Sequence, residues 1–291
     1  MLETGPGWQL PILEASALCV TPRGEGDAPR LLSVDDEAYE VAPAEIDDDD
    51  LRPAAARSVQ SVVPDAGNRS SEFEGVATDG DGRVFVLQEG ADRILVFDAA
   101  LEALERTIAL SVPVDQAGLG AEWHDDANSR GEGLLLLDNG HLLVGKQRDE
   151  PRLIEFGPAG SEPQGYSPGD ALAAGKPFPF GGEGDLRLEV LASWLVDPES
   201  GVKSVNDLAC DDEGRLHLIS SKSRSIARID GRLVPGNGTA MLTRWELPGD
   251  LFATEDDKAE GLVFAPPLGW LVALDLEREA PNVFRLTGVP R

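Results

Sequence analysis

Short apolar runs separated by turn-forming residues recur along the whole chain, and they recur in phase. The clearest series follows Glu74, with an apolar strand over 75–78, a turn over 79–82 and a second apolar strand over 84–87. Asp-Gly steps in such turns favour tight hairpins, and short apolar runs bounded by Gly, Asp and Asn are typical of strands. The pattern therefore predicts antiparallel β-structure built from a repeated unit.

The same unit can be placed five times, with starts at residues 16, 74, 132, 206 and 260 and a Gly/Pro-rich insertion at about 157–184. The last unit has room for only three strands, whereas the segment at about Trp8–Leu13 has no place in the first. We therefore predict an all-β fold, a single five-bladed β-propeller over residues 1–291, closed by this N-terminal strand in the last blade. A β-sandwich is the alternative, and the phased units with an incomplete last unit argue against it.

The residue that opens each unit has an oxygen in its side chain. The first strand of a propeller blade lines the central axis and side chains alternate along a strand, so we expect these residues at one level of the channel. Crowded carboxylates raise one another's pKa, and a cation relieves the conflict. Ca²⁺ fits oxygen ligands best, although another hard divalent cation would also fit. The alternative is that these side chains only cap strands or bond amides of the next blade. The predicted metal ligands are Ser16, Glu74, Glu132, Asn206 and Glu260.

The loops that follow the second strands should meet at the same mouth of the channel. They carry basic residues that would suit a small anionic ligand such as a phosphate or carboxylate, with ion pairs among the rim residues as the alternative. Asp36 and Glu89 are candidate proton acceptors, and His124 is a candidate general base; His141 and His217 fall at the opposite end and suggest structural roles. The predicted ligand-binding residues are Lys146, Arg148, Lys222, Arg224 and Arg278.

Composition narrows the classes of partner. The formal net charge of −28 argues against binding to nucleic acid or to anionic membrane surfaces. A solvated surface, adaptation to a salty cytoplasm or cation binding would each account for the acidity.

Cys19 and Cys210 fall in apolar runs of non-adjacent blades, and we expect two free thiols. The N-terminus shows no signal peptide and no run is long enough to span a bilayer, so a cytoplasmic, monomeric protein is expected.

Several short segments resemble the SdiA-regulated family of five-bladed propellers. The resemblance lies in the five unit starts, in which the family typically has Ser, Glu, Glu, Ser and Glu, and in the segments 145–151 and 220–224. Asn206 departs from this pattern, since the family has Ser there. The same oxygen order is similar to that of the calcium-activated nucleotidases, or soluble apyrases, and of propellers described as having phytase-like esterase activity. These resemblances imply the fold and a central Ca²⁺; an extracellular nucleotidase role does not agree with the missing export signal.

Two functional hypotheses follow. In the first, the chain is a soluble Ca²⁺-binding propeller that acts as a Ca²⁺-dependent hydrolase of phosphate esters or anhydrides. In the second, it is a non-catalytic propeller with a structural metal, which binds a ligand or a protein partner on loops such as 157–184. Because a fold does not settle a function, the decision rests on whether the central site opens onto a cavity.

Overall fold

The computed structural model describes residues 1–21, 28–67, 69–116, 118–125, 130–147, 150–182, 184–236 and 238–290. Arg148, one of the predicted ligand-binding residues, lies outside them. The described chain is almost entirely β-structure, and its one α-helix, α1, is Gly120–Asp125. No helix among these residues is long and apolar enough to cross a membrane.

The strands follow one another along the chain in short antiparallel series. In order, they are β1 (Glu3–Trp8), β2 (Ala15–Val20), β3 (Arg30–Asp35), β4 (Glu40–Asp47), β5 (Asp50–Pro53), β6 (Arg57–Ser58), β7 (Phe73–Thr78), β8 (Val84–Gln88), β9 (Arg93–Phe97), β10 (Leu104–Ser111), β11 (Gly131–Leu136), β12 (Leu142–Lys146), β13 (Arg152–Pro158), β14 (Leu186–Val196), β15 (Asp207–Cys210), β16 (Leu216–Ser220), β17 (Ser225–Ile229), β18 (Thr239–Ala240), β19 (Leu242–Glu246), β20 (Lys258–Ala265), β21 (Gly269–Asp275) and β22 (Val283–Thr287).

Twenty of these strands form five antiparallel series of four, which we call units, and β6 pairs with β4 beside the first of them. The units are β2-β3-β4-β5, β7-β8-β9-β10, β11-β12-β13-β14, β15-β16-β17-β19 and β20-β21-β22-β1. The outer strands of the second and third units, β10 and β14, also pair in parallel, and β18 pairs with β14. The innermost strands contact one another in the cyclic order β2, β7, β11, β15, β20 and back to β2. The prediction of an all-β propeller is confirmed.

The N-terminal strand closes the ring, but it lies earlier in the chain than predicted. β1 (Glu3–Trp8) pairs with β22 as the outer strand of the last unit, whereas the prediction placed this strand at about Trp8–Leu13. The segment after Trp8 turns a corner that contains Pro11, and the Asn282 side chain clamps it by accepting a hydrogen bond from Leu10 N at 2.8 Å. Nδ2 of Asn282 also donates to Ile12 O at 2.6 Å, so a side chain and not a strand ladder takes up the backbone groups of this segment, which accounts for the shift.

Each hydrophobic core lies between two neighbouring units. Five clusters fill the five interfaces, and consecutive residues of an innermost strand contribute to different ones. In β2, for example, Ala17 packs toward the second unit and Leu18 toward the last. The alternating side chains of an innermost strand therefore point into the inter-unit cores, and the strand turns its backbone edge toward the axis.

The insertion between β13 and β14 folds back across one end of the ring. Leu137 bridges to Ala171, Leu172 N donates to Leu136 O at 2.8 Å, and Gly80 N donates to Lys176 O at 2.7 Å. These contacts join the insertion to the ends of innermost strands in two units. The Gly/Pro-rich stretch predicted at about 157–184 is thus a wall of the ring opposite to the end at which the unit starts lie.

Both cysteines are free, as expected.

His141 and His217 are buried. His141 Nδ1 lies 2.6 Å from Glu155 Oε1. His217 Nδ1 donates to Arg215 O at 3.0 Å, and its ring packs against Trp270 with centroids 4.5 Å apart. Nε2 of His217 has no hydrogen-bond partner, so the neutral ring is the form that this pocket accepts.

His217 should make the protein sensitive to acid. Burial lowers its pKa from 6.5 to about 4, so the unfolded chain binds a proton more readily than the folded one. The stabilisation is complete above about pH 6.5 and is lost as the pH falls to about 4, at a cost of up to about 3 kcal/mol. In urea unfolding at several pH values, His217→Asn, which keeps a donor for Arg215 O, should reduce this slope. An unchanged slope between pH 4 and 6.5 would contradict the role given to His217.

Candidate metal centre

A β-bulge aims the ring residues at the axis. In four innermost strands, the register shifts at the ring position, between Ala15 and Ala17, Phe73 and Gly75, Gly131 and Gly133, and Ala259 and Gly261. A bulge leaves one residue unpaired and redirects its side chain. Simple alternation, from which the common level was predicted, would have sent these side chains into the inter-unit cores. The level of the predicted ring residues therefore depends on the bulges.

The glycine after each ring glutamate allows neighbouring units to approach closely. A Cβ at Gly75 would lie 2.6 Å from Glu132 O, and one at Gly133 would lie 2.9 Å from the Asp207 carbonyl carbon. At Gly261 it would meet Leu18 Cγ at 2.9 Å. The repeated Glu-Gly step is therefore a geometric requirement, with the acid on the bulge and the glycine where innermost strands touch.

The three ring glutamates open onto one acidic cavity of about 220 Å³. Its described lining includes seven carboxylate side chains, Ser70, Gln147 and one basic side chain, that of Lys258. The carboxylates belong to Asp36, Glu37, Glu72, Glu74, Glu89, Glu132 and Glu260. We call this space the acidic cavity.

Burial and mutual repulsion raise the pKa of carboxyl groups in this cavity. Burial raises the pKa of Glu74 well above its usual range, and the charges of Glu132, Asp36 and Glu260 raise it further. Burial also raises the pKa of Asp36, which shares a hydrogen bond with Glu74. Because these groups lie at one end of a narrow channel, their charges are poorly solvated. A cation in the cavity would relieve both the burial cost and the repulsion.

Asn206 turns its amide nitrogen toward the carboxylates. Its Nδ2 donates to Glu132 Oε2 at 2.7 Å and lies 3.5 Å from Glu260 Oε1. Its Oδ1 accepts from Ser204 Oγ, Ser221 N and Ser221 Oγ at 2.8–3.0 Å. Since Ser221 N can only donate, the opposite orientation of the amide would set two donors against each other. This orientation favours Asn206 as a hydrogen-bond donor that holds two carboxylates, and disfavours it as a metal ligand.

Ser16 is also set back from the acidic cavity. Its side chain is buried, and Oγ lies 3.4 Å from Glu14 O, a long hydrogen bond. Neither Ser16 nor Asn206 is among the described residues that line the cavity. The structure thus brings three of the five predicted metal ligands to one cavity and places the other two beside it.

Gln147 supplies an oxygen that sequence analysis did not single out. It lines the acidic cavity and is only 5% exposed. Its Oε1 has no hydrogen-bond partner, and an unpaired buried carbonyl oxygen is costly. Such an atom next to carboxylates is what a bound cation would use. Glu89, also buried, accepts a hydrogen bond from Arg130 N at 2.7 Å through Oε1.

A second group of carboxylates adjoins the cavity. Glu14, Asp36 and Glu37 offer oxygens that lie within 4.8 Å of one another. Burial, followed by the charges of Asp275 and Glu37, raises the pKa of Glu14 to about 7. Lys258 Nζ donates to Asp275 Oδ2 at 2.6 Å. Its positive charge partly offsets the negative charge on this side of the mouth. Asp36 and Glu37 belong to both groups, so the negative field is continuous from the ring to the rim.

Two of the three candidate catalytic residues lie in the acidic cavity, and the third does not. Asp36 and Glu89 line the acidic cavity, where both were expected. His124 is exposed on α1, its Nε2 lies 2.8 Å from Val112 O, and it is not among the described lining residues. Its assignment as a general base has no geometric support here.

The predicted basic residues at the rim do not reach the acidic cavity, and three of them contact other groups. Lys146 is fully buried, with Nζ 3.7 Å from Glu122 Oε2. Arg278 binds both oxygens of Asp257, which holds the pKa of that carboxyl far below its usual value. Arg224 lies over the Phe252 ring, and Lys222 is exposed. None of these described residues lines the acidic cavity.

The residues that sequence analysis missed stand close to those that it found. Glu72 lies two positions before Glu74, and Lys258 two positions before Glu260. Gln147 directly follows Lys146. The available signal was the spacing of two, since a residue two positions before a bulge can reach the same mouth.

No family model matches the chain, and no curated protein matches it. Among solved structures, the glutaminyl cyclase of Myxococcus xanthus has a TM-score of 0.56 and 15% identity, covering 98% of this chain and 95% of that one. Regucalcin, a calcium-binding protein of Agrobacterium tumefaciens, has a TM-score of 0.47 and 15% identity over 97% and 93%. Virginiamycin B lyase of Staphylococcus aureus has a TM-score of 0.43 and 10% identity over 100% and 75%. The likeness to the glutaminyl cyclase, at 15% identity, establishes a shared fold alone, and the resemblance to SdiA-regulated proteins and apyrases stays a prediction.

Proposed function

We propose that the acidic cavity binds one divalent cation, with Glu74, Glu132 and Glu260 as its carboxylate ligands. The observation that carries the proposal is the convergence of these side chains on a cavity that also exposes the partnerless Oε1 of Gln147. A cation satisfies that oxygen and offsets both the burial and the repulsion that raise the pKa of Glu74. In this arrangement Asn206 orients Glu132, while Ser16 and Asn206 stay outside the ligand set.

Ca²⁺ is the cation that the donors favour. The candidate ligands are all oxygens, which suits a hard cation, and Ca²⁺ accepts about 6 to 8 of them in flexible geometry. The cavity, at about 220 Å³, has room for an ion with several waters, each of about 30 Å³. Mg²⁺ requires a small octahedral shell, and the wide spread of carboxylates suits it less.

Calcium should stabilise the protein against heat. A ligand present at 100 times its Kd stabilises the folded state by about 2.7 kcal/mol, so the melting temperature of EDTA-treated protein should rise by several degrees when Ca²⁺ is added. The variant Glu74→Gln/Glu132→Gln should lose this rise. Differential scanning calorimetry in EDTA and in Ca²⁺ measures both.

The matched control is Glu102→Gln/Glu105→Gln, which changes two exposed glutamates of the second unit in the same way. It should keep the full Ca²⁺ response. Equal melting temperatures with and without Ca²⁺ in the wild-type protein would sink the cation proposal. An equal rise in melting temperature with Ca²⁺ in the two double variants would show that the cation binds outside the ring.

A finer proposal is that the cavity hydrolyses phosphate esters or anhydrides when Ca²⁺ is bound. It is supported by Asp36, a carboxyl with a raised pKa that shares a hydrogen bond with Glu74 in the cavity and could accept the proton of an attacking water. A panel of phosphate monoesters and nucleoside diphosphates, assayed in Ca²⁺ and in EDTA, tests it. Turnover that requires Ca²⁺ and falls in Asp36→Asn supports a hydrolase; intact Ca²⁺ binding without turnover supports a non-catalytic propeller with a structural metal.

A further inference from the structure

The channel has a second, larger chamber at the end away from the acidic cavity. Its volume is about 1110 Å³, close to the upper end of the range of about 300–1000 Å³ for small-molecule pockets. Every innermost strand lines it with the residues two to four positions after the ring level. These are residues 18–20, 76–78, 134–136, 208–210 and 262–264. We call this space the lower chamber.

The lower chamber and the acidic cavity share no described lining residue. At the level between them stand the close-packed glycines and Asp207. Asp207 is fully buried, and its Oδ2 accepts from Leu18 N at 3.2 Å and from Leu262 N at 2.9 Å. This carboxylate ties the fourth unit to the first and the last. A molecule in the lower chamber would therefore not contact the ring glutamates.

The walls of the lower chamber are mainly apolar. The strand residues on it are mostly aliphatic. Many of them, such as Leu134 and Leu136, also pack in the inter-unit cores, whereas Leu135 and Phe264 are only partly buried. The insertion adds a wall, in which Ala171 and Leu172 are held against β11 and its turn by backbone contacts. An apolar lining of this extent, with the polar backbone edges of the strands between, is the usual composition of a small-molecule site.

Acidic side chains at the mouth of the lower chamber outnumber the basic side chains near them. Five acidic side chains line it, and no described Lys, Arg or His does. Asp79 pairs with Arg83, and Asp211 and Glu213 both pair with Arg215. Asp48 and Asp212 are exposed and form no ion pair or side-chain hydrogen bond with another described residue. A ligand with an apolar body and a positive group would match both features.

We propose that the lower chamber binds a small hydrophobic amine, with its apolar body among the innermost strands and its ammonium group at the acidic mouth. The inference is independent of the cation at the acidic cavity. It assigns the two ends of the channel to different ligands, a hard cation at one end and an organic cation at the other.

Three naphthalene probes of one size and different charge test this proposal. They are 1-naphthylmethylamine (a cation at pH 7), 1-naphthalenemethanol (neutral) and 1-naphthoate (an anion), each measured by equilibrium dialysis with naphthalene fluorescence. We expect saturable binding of the amine, at least about tenfold tighter than that of the anion, because like charges at the mouth repel the latter. The neutral alcohol should bind with intermediate affinity.

Two variants locate the bound probe. Asp48→Asn/Asp212→Asn, which alters exposed side chains only, should weaken the amine by about threefold and leave the alcohol unchanged. Leu135→Trp, placed on the chamber wall, should weaken both. The matched control at the opposite mouth, Asp36→Asn/Glu37→Gln, should leave amine binding intact.

Three results would overturn the proposal. They are the absence of saturable binding by both the amine and the alcohol, equal binding of the amine and the anion, and loss of amine binding in the Asp36/Glu37 variant but not in the Asp48/Asp212 variant. The last result would place the amine in the acidic cavity. None of these results depends on whether Ca²⁺ binds, so failure here is distinguishable from failure of the proposed function.

Discussion

Asp207→Ala should lower the free energy of unfolding by about 2 to 4 kcal/mol, because it leaves buried amides of three units without an acceptor. Asp207 accepts from Leu18 N and Leu262 N through Oδ2 and from Leu208 N at 2.8 Å through Oδ1. Leu18 and Leu262 belong to the first and last units of the ring. The loss should thus weaken the closure of the propeller. Urea unfolding followed by Trp fluorescence measures the change.

Asp207→Asn is the matched comparison. Asn keeps one oxygen that can accept from Leu18 N and Leu262 N, but its NH₂ group would face Leu208 N, a second donor. Burial raises the pKa of Asp207 well above its usual value, which shows that burying this carboxylate is unfavourable. Both variants remove that burial cost, so it offsets part of the lost free energy of unfolding. We expect Asn to cost about half as much as Ala. Equal costs, or a loss below about 0.5 kcal/mol in both, would show that this carboxylate does not hold the ring.

Glu74→Gln/Glu132→Gln should change stability in opposite directions with and without calcium. Without a cation, the variant replaces two carboxyl groups that are disfavoured by burial and by repulsion from their neighbours. We expect the free energy of unfolding to rise by about 1 to 2 kcal/mol, as relief of a strained functional site commonly gives. With Ca²⁺, the wild-type protein gains binding energy that the variant lacks. The order of stability should therefore reverse.

Urea titrations in EDTA and in Ca²⁺ measure this reversal. The exposed variant Glu102→Gln/Glu105→Gln changes two glutamates in the same way and should follow the wild-type protein under both conditions. If the ring variant were less stable than the wild-type protein in EDTA, the ring carboxylates would be structural hydrogen-bonding groups, which is the alternative that the sequence left open.

The repeat made the fold predictable. It also predicted that the glutamates at the unit starts lie together at one end of the channel. Each unit start at Glu74, Glu132 and Glu260 is followed by Gly, and that step marks where the innermost strands approach one another. Local pattern thus determined which residues stand at the axis. It could not show that a bulge aims them there, since a bulge depends on pairing with the partner strand.

What lay beyond prediction depends on contacts between distant parts of the chain. The orientation of the Asn206 amide is set by Ser204 and Ser221. Asp207 was not singled out, because nothing near it in sequence shows that its partners are Leu18 and Leu262. Some basic residues that loop position had assigned to the rim form ion pairs with acids outside the acidic cavity, as Arg278 does with Asp257. Such pairings are decided by tertiary packing, on which strand periodicity carries no information.

The most direct test of the central claim is a calorimetric titration of Ca²⁺ into metal-stripped protein. The account predicts saturable binding of about one ion per chain with a Kd below about 1 mM, tighter than for Mg²⁺ and abolished in Glu74→Gln/Glu132→Gln but not in Glu102→Gln/Glu105→Gln. The absence of saturable binding by the wild-type protein, or binding that survives unchanged in the ring variant, would contradict the account.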